Sequence, residues 1–326
     1  MIPAPVIAST ISPQYLENFI IPKYGLDKGA TCELLRTGMN HTYMVKSQEN
    51  RYILRVYSFN WRSKGEIQEE LDLLVELFSM GIPISYPITN VDKGFLNELT
   101  APEGLRYLVL FSYAEGKKVR YLDVDVCQKI GALMATIHKA VRDKSIQRID
   151  YSYNTLLEKS YQKASTFFDS SIETMKSLHQ TNRTVANKLK ETNLFDVRKG
   201  IVHLDIWYDN MAISKDGEIT IFDFDFCGNG LLITDVAYFL KQLFHIEPDK
   251  NRYEKLKKAF VDGYSKKIPM QSQELELIPY LGWSVFMFYL GIQTERFDWS
   301  NIFLSENYLK MYVGRMKSWL AYHEIS

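Results

Sequence analysis

The chain has 326 residues, 46% hydrophobic and 24% charged, with 39 basic residues balanced by 39 acidic ones. That length suits two domains or one domain of two lobes, and the composition is that of an ordinary globular protein. A net charge of zero offers no footprint for nucleic acid or an anionic membrane, so neither is expected as a partner. Cys32, Cys127 and Cys227 stand far apart without C-x-x-C spacing, which argues against a disulfide framework and against a zinc site. The N-terminal run MIPAPVIASTISPQYLENF has no basic stretch leading into an apolar core. No uninterrupted apolar run approaches the ~20 residues of a membrane span. A reduced, cytoplasmic protein is expected, and nothing specifies an oligomeric state.

Along the chain, residues 13–25 read as a short helix ended by Pro22 and Gly25. Three strands follow, Ala30 to Arg36, Thr42 to Ser47 and Arg51 to Tyr57, rich in β-branched and aromatic residues. Thr37-Gly38-Met39-Asn40-His41 joins the first two. It is either an ordinary hairpin turn or a small-residue loop folding over a phosphate chain. Arg55 lies between Leu54 and Val56. It is either an outward solvated charge or a guanidinium facing phosphates, for which its planar fork is suited. Residues 64–80 form an amphipathic helix with Ile67, Leu71, Leu74 and Phe78 on one stripe and Gly81 as its stop. Helical periodicity puts Glu70 on the flank of that stripe, so Glu70 is the acid able to reach Arg55, with Glu66 and Glu69 solvated. A further strand pair is expected near Ile88 to Asn90 and Arg106 to Ser112.

The break Tyr113-Ala114-Glu115-Gly116-Lys117 separates a strand-rich segment from a mostly helical one. It divides the chain into lobes 1–111 and 112–326, with a hinge near 111–116. Residues 122–142 read as a core helix with Val126, Ile130, Leu133, Ile137 and Val141 on one face, His138 on it being structural. Residues 155–195 are helical, and Thr234-Asp235 start another helix. The last 80 residues are aromatic-rich helices. Their rings read mostly as core, with Tyr280, Trp283, Tyr289 and Trp299 as candidate pocket residues.

The densest chemistry lies in IVHLDIWYDNMAISKDGEITIFDFDFCGNGLLITD, residues 201–235. Two extended runs flank Asp216-Gly217, as in a hairpin. That arrangement brings Asn210 and Asp223 to the strand ends as two oxygen ligands for a hard cation. His203 to Asp205 is two residues, Asp205 to Asn210 five, and Asn210 to Asp223 thirteen. The first two spacings match the catalytic loop H-R-D-x-x-x-x-N of protein kinases, followed by a metal-binding Asp.

The glycine loop lacks the G-x-G-x-x-G form, and FDFDFCGNG lacks the Gly of D-F-G. The chain instead resembles the aminoglycoside phosphotransferase and choline kinase-like superfamily. Its runs of the type HGDLHxxN, (I/F)DFDDAxxG and Asp-x-Ala stand here as HLDIWYDN, FDFDFCGNG and Asp235-Val236-Ala237. The likeness covers nearly the whole chain in layout and looks nearest to type II homoserine kinases and a bacterial stress-response kinase. Departures are Leu204, where glycine is usual, and Trp207-Tyr208 in the loop.

The resemblance implies an α+β, bilobal protein-kinase-like fold, with an antiparallel-sheet N-lobe carrying one long helix and a mostly helical C-lobe. It implies an ATP- and Mg²⁺-dependent phosphotransferase acting on a hydroxyl of a small molecule: an amino alcohol, or a homoserine-like, choline-like or aminoglycoside acceptor. Asp205 is the implied catalytic carboxylate, and Asn210 and Asp223 the metal ligands. Arg55, paired with Glu70, takes the place of the third-strand cation. Gly38 and Asn40 belong to the phosphate loop, and the backbone from Phe111 to Tyr113 meets the adenine. Asp225 serves a second metal or caps the loop, and His203 and Asp235 brace it. A protein Ser/Thr kinase and a non-catalytic nucleotide-binding pseudokinase are the alternatives. Only 11 residues between Asp223 and Asp235 leave little room to dock a peptide.

Overall fold

The computed structural model describes residues 4–48, 50–194, 196–296 and 303–325, so Trp299 lies outside the described residues. They fall into two compact units, one ending at Glu115 and the other beginning at Gly116.

The first unit runs α1 (Pro13–Tyr24), β1 (Thr31–Arg36), β2 (Asn40–Lys46), β3 (Arg51–Tyr57), α2 (Lys64–Ser79), β4 (Leu96–Ala101) and β5 (Gly104–Ser112). The strands form one antiparallel sheet in the order β1-β2-β3-β5-β4. Alternation along β2 buries His41, Tyr43 and Val45 and leaves their neighbours half-exposed. Leu16 and Ile20 of α1 complete that core with Leu54, Val56, Leu108 and Leu110. Successive strand side chains face opposite ways, so Arg55 is turned from the face that Leu54 and Val56 bury. Pro22 lies inside α1 rather than ending it; Gly25 does that, at φ 60, where a missing Cβ removes the steric cost.

Two strand and helix expectations are corrected. Beside β3, the neighbour of β5 is β4, not Ile88–Asn90; the Ile88 N–H donates to the Leu110 carbonyl but starts no ladder. On α2 the buried stripe is Ile67, Leu71 and Leu74 with Glu70, whereas Phe78 is exposed and stacks on Tyr86 at 3.7 Å. Glu66 is no idle surface charge: it closes a capping box with Ser63.

The second unit contains α3 (Val124–Val141), α4 (Ser160–Phe167), α5 (Glu173–Glu191), β6 (Lys199–Val202), β7 (Met211–Ile213), β8 (Ile219–Ile221) and β9 (Gly228–Leu231). It ends with α6 (Ile233–Ile246), α7 (Lys250–Ser265), α8 (Ser272–Glu295) and α9 (Glu306–Tyr322). The buried face of α3 carries Cys127, Ile130, Met134, Ile137 and Val141, a register in which Val126 and Leu133 are only half-buried. Gly131 of α3 and Gly263 of α7 face the partner helix's backbone so closely that neither position has room for a Cβ. The 155–195 stretch is helical in two pieces, α4 and α5, preceded by a wide helical turn over Asn154–Lys159. By length and composition α8 is apolar enough to cross a membrane, yet it is mostly buried among the helices of this unit. Trp283 on it is fully buried and donates to Asn182 Oδ1 at 2.7 Å, so it is core rather than pocket wall.

Candidate active site

In the first unit Arg55 Nη1 lies 2.7 Å from Glu70 Oε1, with side-chain exposures of 10% and 0%. The same guanidinium donates to the Tyr57 hydroxyl at 3.3 Å and sits 4.8 Å above the Phe111 ring. The solvated reading of Arg55 is excluded: a cation taken out of water needs an opposite charge, and Glu70 supplies it. Asn40 opens β2 and its Oδ1 accepts from the Ser58 N–H, while Gly38 lies in the short turn before it. Phe111 and Ser112 close β5, and Tyr113 follows with Arg51 4.2 Å over its ring.

In the second unit β6 delivers the chain to His203, and its antiparallel pairing with β9 sets Val202 opposite Gly228. The backbone then turns sharply. Leu204 adopts φ 65, the left-handed region that disfavours side-chain-bearing residues by ~1–2 kcal/mol. The turn is pinned from below by Asp235, whose Oδ2 accepts from the His203 N–H at 2.9 Å and whose Oδ1 accepts from the Leu204 N–H at 2.7 Å. Asp235 was expected at the helix start; it lies inside the first turn of α6, buried, with His138 Nε2 3.2 Å from its carboxylate. His138 in turn meets the Tyr264 hydroxyl at 2.8 Å. The His203 ring spans the loop, with Nδ1 accepting from the Asp205 N–H and Nε2 3.2 Å from the Phe222 carbonyl. Burial lowers the pKa of His203, so the neutral ring is favoured.

Asp205 therefore stands on a rigid turn. Its carboxylate takes a hydrogen bond from the Tyr238 hydroxyl at 2.6 Å and another from Asn210 Nδ2 at 2.7 Å. Burial pushes its carboxyl up to about 7, the two hydrogen bonds oppose that rise, and the nearby Asp223 carboxylate adds to it. Tyr289 closes the other side, its ring 5.6 Å from that of Tyr238 and its hydroxyl on the Leu204 carbonyl at 3.3 Å.

The β7–β8 hairpin pairs Met211 with Ile221, and the Phe222 N–H donates to the Asn210 carbonyl at 3.0 Å. Asn210 and Asp223 thus leave the same end of one hairpin. Asp223 is exposed and held at φ 67, a second left-handed residue at the site. Asp225 is buried in the tight turn Phe224–Phe226, and its backbone carbonyl accepts from the Arg148 guanidinium. Cys227 is buried directly after that turn. Sequence reasoning passed over Tyr238. Its signal was its position three residues after Asp235, one helical step along the same face.

Asn210 Nδ2 is committed to Asp205, and its side-chain oxygen Oδ1 carries no hydrogen bond among the described residues. With the exposed Asp223 carboxylate this makes two hard oxygen donors, the type that Mg²⁺ or Ca²⁺ prefers. Among the described residues no cluster of three or more His, Cys, Asp or Glu side chains is placed to hold a metal. The donor set therefore suits a cation completed by water and ligand oxygens.

The model of the phosphotransferase enzyme family (APH) matches residues 31–267. The chain is 26% identical over 300 residues to a homoserine kinase of Agrobacterium fabrum, covering 90% of this chain and 88% of that one. In fold it is similar to an amicoumacin kinase solved with AMP-PNP and Ca²⁺, with a TM-score of 0.78, 21% identity and coverage of 95% and 93%. It is similar also to a microcompartment-associated aminopropanol kinase, with a TM-score of 0.75, 18% identity and coverage of 94% and 95%. The chain belongs to the phosphotransferase enzyme family, with the protein-kinase-like fold of that family and a hydroxyl group as phosphoryl acceptor.

Proposed function

We propose that this chain is an ATP- and Mg²⁺-dependent kinase that transfers the γ-phosphoryl group to a hydroxyl of a small acceptor of the amino-alcohol or homoserine type. The observation that carries the proposal is Asp205: a carboxylate positioned by two neutral donors, with no ion pair to a cation among the described residues. It is thereby left able to take up a proton.

The roles divide by unit. In the first, Arg55 braced by Glu70 and the Gly38–Asn40 loop serve the nucleotide phosphates, and the backbone of Phe111 to Tyr113 serves the adenine. In the second, Asp205 orients the acceptor hydroxyl and accepts its proton as the oxygen–phosphorus bond forms. The bond from the γ-phosphorus to the bridging oxygen breaks, and ADP leaves with that electron pair. Asn210 and Asp223 would hold the metal, which when bound supplies neutralisation of phosphate charge. Tyr238 fixes the carboxylate, and His203, His138 and Asp235 fix the turn that carries it.

Of the 11 residues after Asp223, nine lie in the 224–226 turn, β9 and the start of α6, and Cys227 and Leu232 join these elements. That supports a small acceptor over a peptide. Similarity to the homoserine kinase favours the same class. The test is a coupled ADP-release screen over amino alcohols, homoserine, choline, sugars and aminoglycosides. Acceptor-dependent release that disappears in Asp205→Asn is expected; release that persists unchanged would sink the mechanism.

A further inference from the structure

Three residues after Tyr238 on α6 lies Lys241, fully buried. Its Nζ has no hydrogen-bond partner and lies 2.9 Å from the centroid of the Phe286 ring. Tyr238 packs on the same ring at 6.3 Å, so one aromatic wall joins Lys241 to the tyrosine that holds Asp205. Two more cationic or titratable groups share this corner. His245, one turn further along α6, has its ring 5.8 Å from Phe286 and a buried Nε2 with no partner. Arg315 on α9 is exposed and acts electrostatically on Lys241, His245 and Tyr312. None of the three forms an ion pair with a carboxylate among the described residues. The polar groups nearby are the hydroxyls of Tyr312, on the Phe286 carbonyl, and Tyr308, on Gln293.

Such an arrangement is costly to the fold by itself. A buried ammonium without an anion loses its hydration and recovers only the attraction of a ring face. A methionine or leucine would fill the same space without that loss. Burial lowers the pKa of Lys241 well below the usual lysine range, and Arg315 adds to the fall. The element not supplied by the described residues is a negative charge.

We infer that Lys241, with Arg315 towards solvent, is a specificity-determining anion subsite that takes the carboxylate of the acceptor, whose hydroxyl Asp205 orients. This deepens the kinase reading above and selects, within its acceptors, hydroxy amino acids and hydroxy acids over amino alcohols of the same skeleton. A carboxylate there would accept a charge-assisted hydrogen bond from Nζ. Choline and the aminoglycosides, which bring cations, would meet like charge.

The experiment uses the full chain and two readouts. Thermal melts are recorded with homoserine, serine and 4-hydroxybutyrate, and with their uncharged-end counterparts 3-aminopropanol, ethanolamine and 1,4-butanediol. Stabilisation of the wild type by at least one carboxylate compound, lost in Lys241→Met, is the expected result. In the coupled ADP-release assay, the ratio of kcat/KM for the carboxylate acceptor to that for its counterpart should fall roughly tenfold to a hundredfold in Lys241→Met. Arg315→Met, on the surface and harmless to folding, should lower the same ratio by a smaller factor. Equal stabilisation of wild type and Lys241→Met, no stabilisation by any carboxylate compound, or an unchanged ratio in both variants overturns the subsite and leaves Lys241 a buried structural lysine only. Carboxylate-specific stabilisation without ADP release would keep the subsite and overturn the kinase reading, so the two failures are distinguishable.

Discussion

Arg55 and Lys241 are both basic side chains buried against aromatic rings, and they differ in the partner each meets. Arg55 is closed on Glu70, whereas Lys241 meets no carboxylate among the described residues. Asp205 resembles Lys241 in this, since the groups that hold it are a hydroxyl and an amide, both neutral. The first unit has neutralised its buried charge internally. The second closes Arg198 on Glu274 in the same way but leaves Asp205 and Lys241 without an opposite charge among the described residues. Charge satisfied within the fold contributes rigidity, and charge left uncompensated costs stability and offers chemistry.

The contrast is open to breaking by substitution. Asp205→Asn should cut acceptor-dependent ADP release by on the order of 10²–10⁴-fold, as expected for removal of a positioned base. Its melting temperature should hold or rise, because a buried carboxylate has been removed. Glu70→Ala should do the reverse in kind, lowering urea-measured stability by about 3–5 kcal/mol because Arg55 is left buried without its anion. If Glu70→Ala is neutral in stability, the satisfied half of the comparison fails. Tyr238→Phe sharpens the second half: loss of one hydrogen bond to a carboxylate should lower kcat/KM about tenfold, with melting little changed.

A further prediction concerns pH. Burial lowers His245 to about 3 and His323 to about 4, from an ordinary 6.5. A depressed histidine favours the fold while neutral, so its contribution is present above pH 6.5 and is lost as pH falls from 6.5 towards those values. Melting temperature should therefore drop steadily between pH 6.5 and 4, and His245→Leu should flatten part of the slope. A wild-type melting curve flat over that range would contradict the burial of both rings.

Much of the second unit's site was legible because it is local. His203, Asp205, Asn210 and Asp223 lie within 21 residues of one another, and the spacing of a loop and a hairpin is enough to bring them together. Glu70 was legible for a similar reason: helical periodicity sets its angle, and a lysine- or arginine-bearing strand supplies the partner. Strand assignment was weaker. Ile88–Asn90 is apolar enough for a strand, but pairing is decided by which chain reaches the β5 edge, and that is β4. Asp235 reads from its neighbours as a helix start and from the family resemblance as a brace for the catalytic loop, and its carboxylate accepts from the His203 and Leu204 N–H groups.

The sequence by itself determined the family and a fold class of antiparallel strands followed by helices, and it set the short spacing of the loop proposed to carry phosphoryl transfer. Those follow from local pattern: period, turn residues and short-range spacing. The tertiary structure decided what each buried charge meets, because partners such as Tyr238 for Asp205 and Phe286 for Lys241 lie 33 and 45 residues away in the chain. Burial is a property of the packed whole. No local pattern states that a lysine on an apolar helix face will find an aromatic ring and no anion among the described residues, and that is where the proposed choice of acceptor lies.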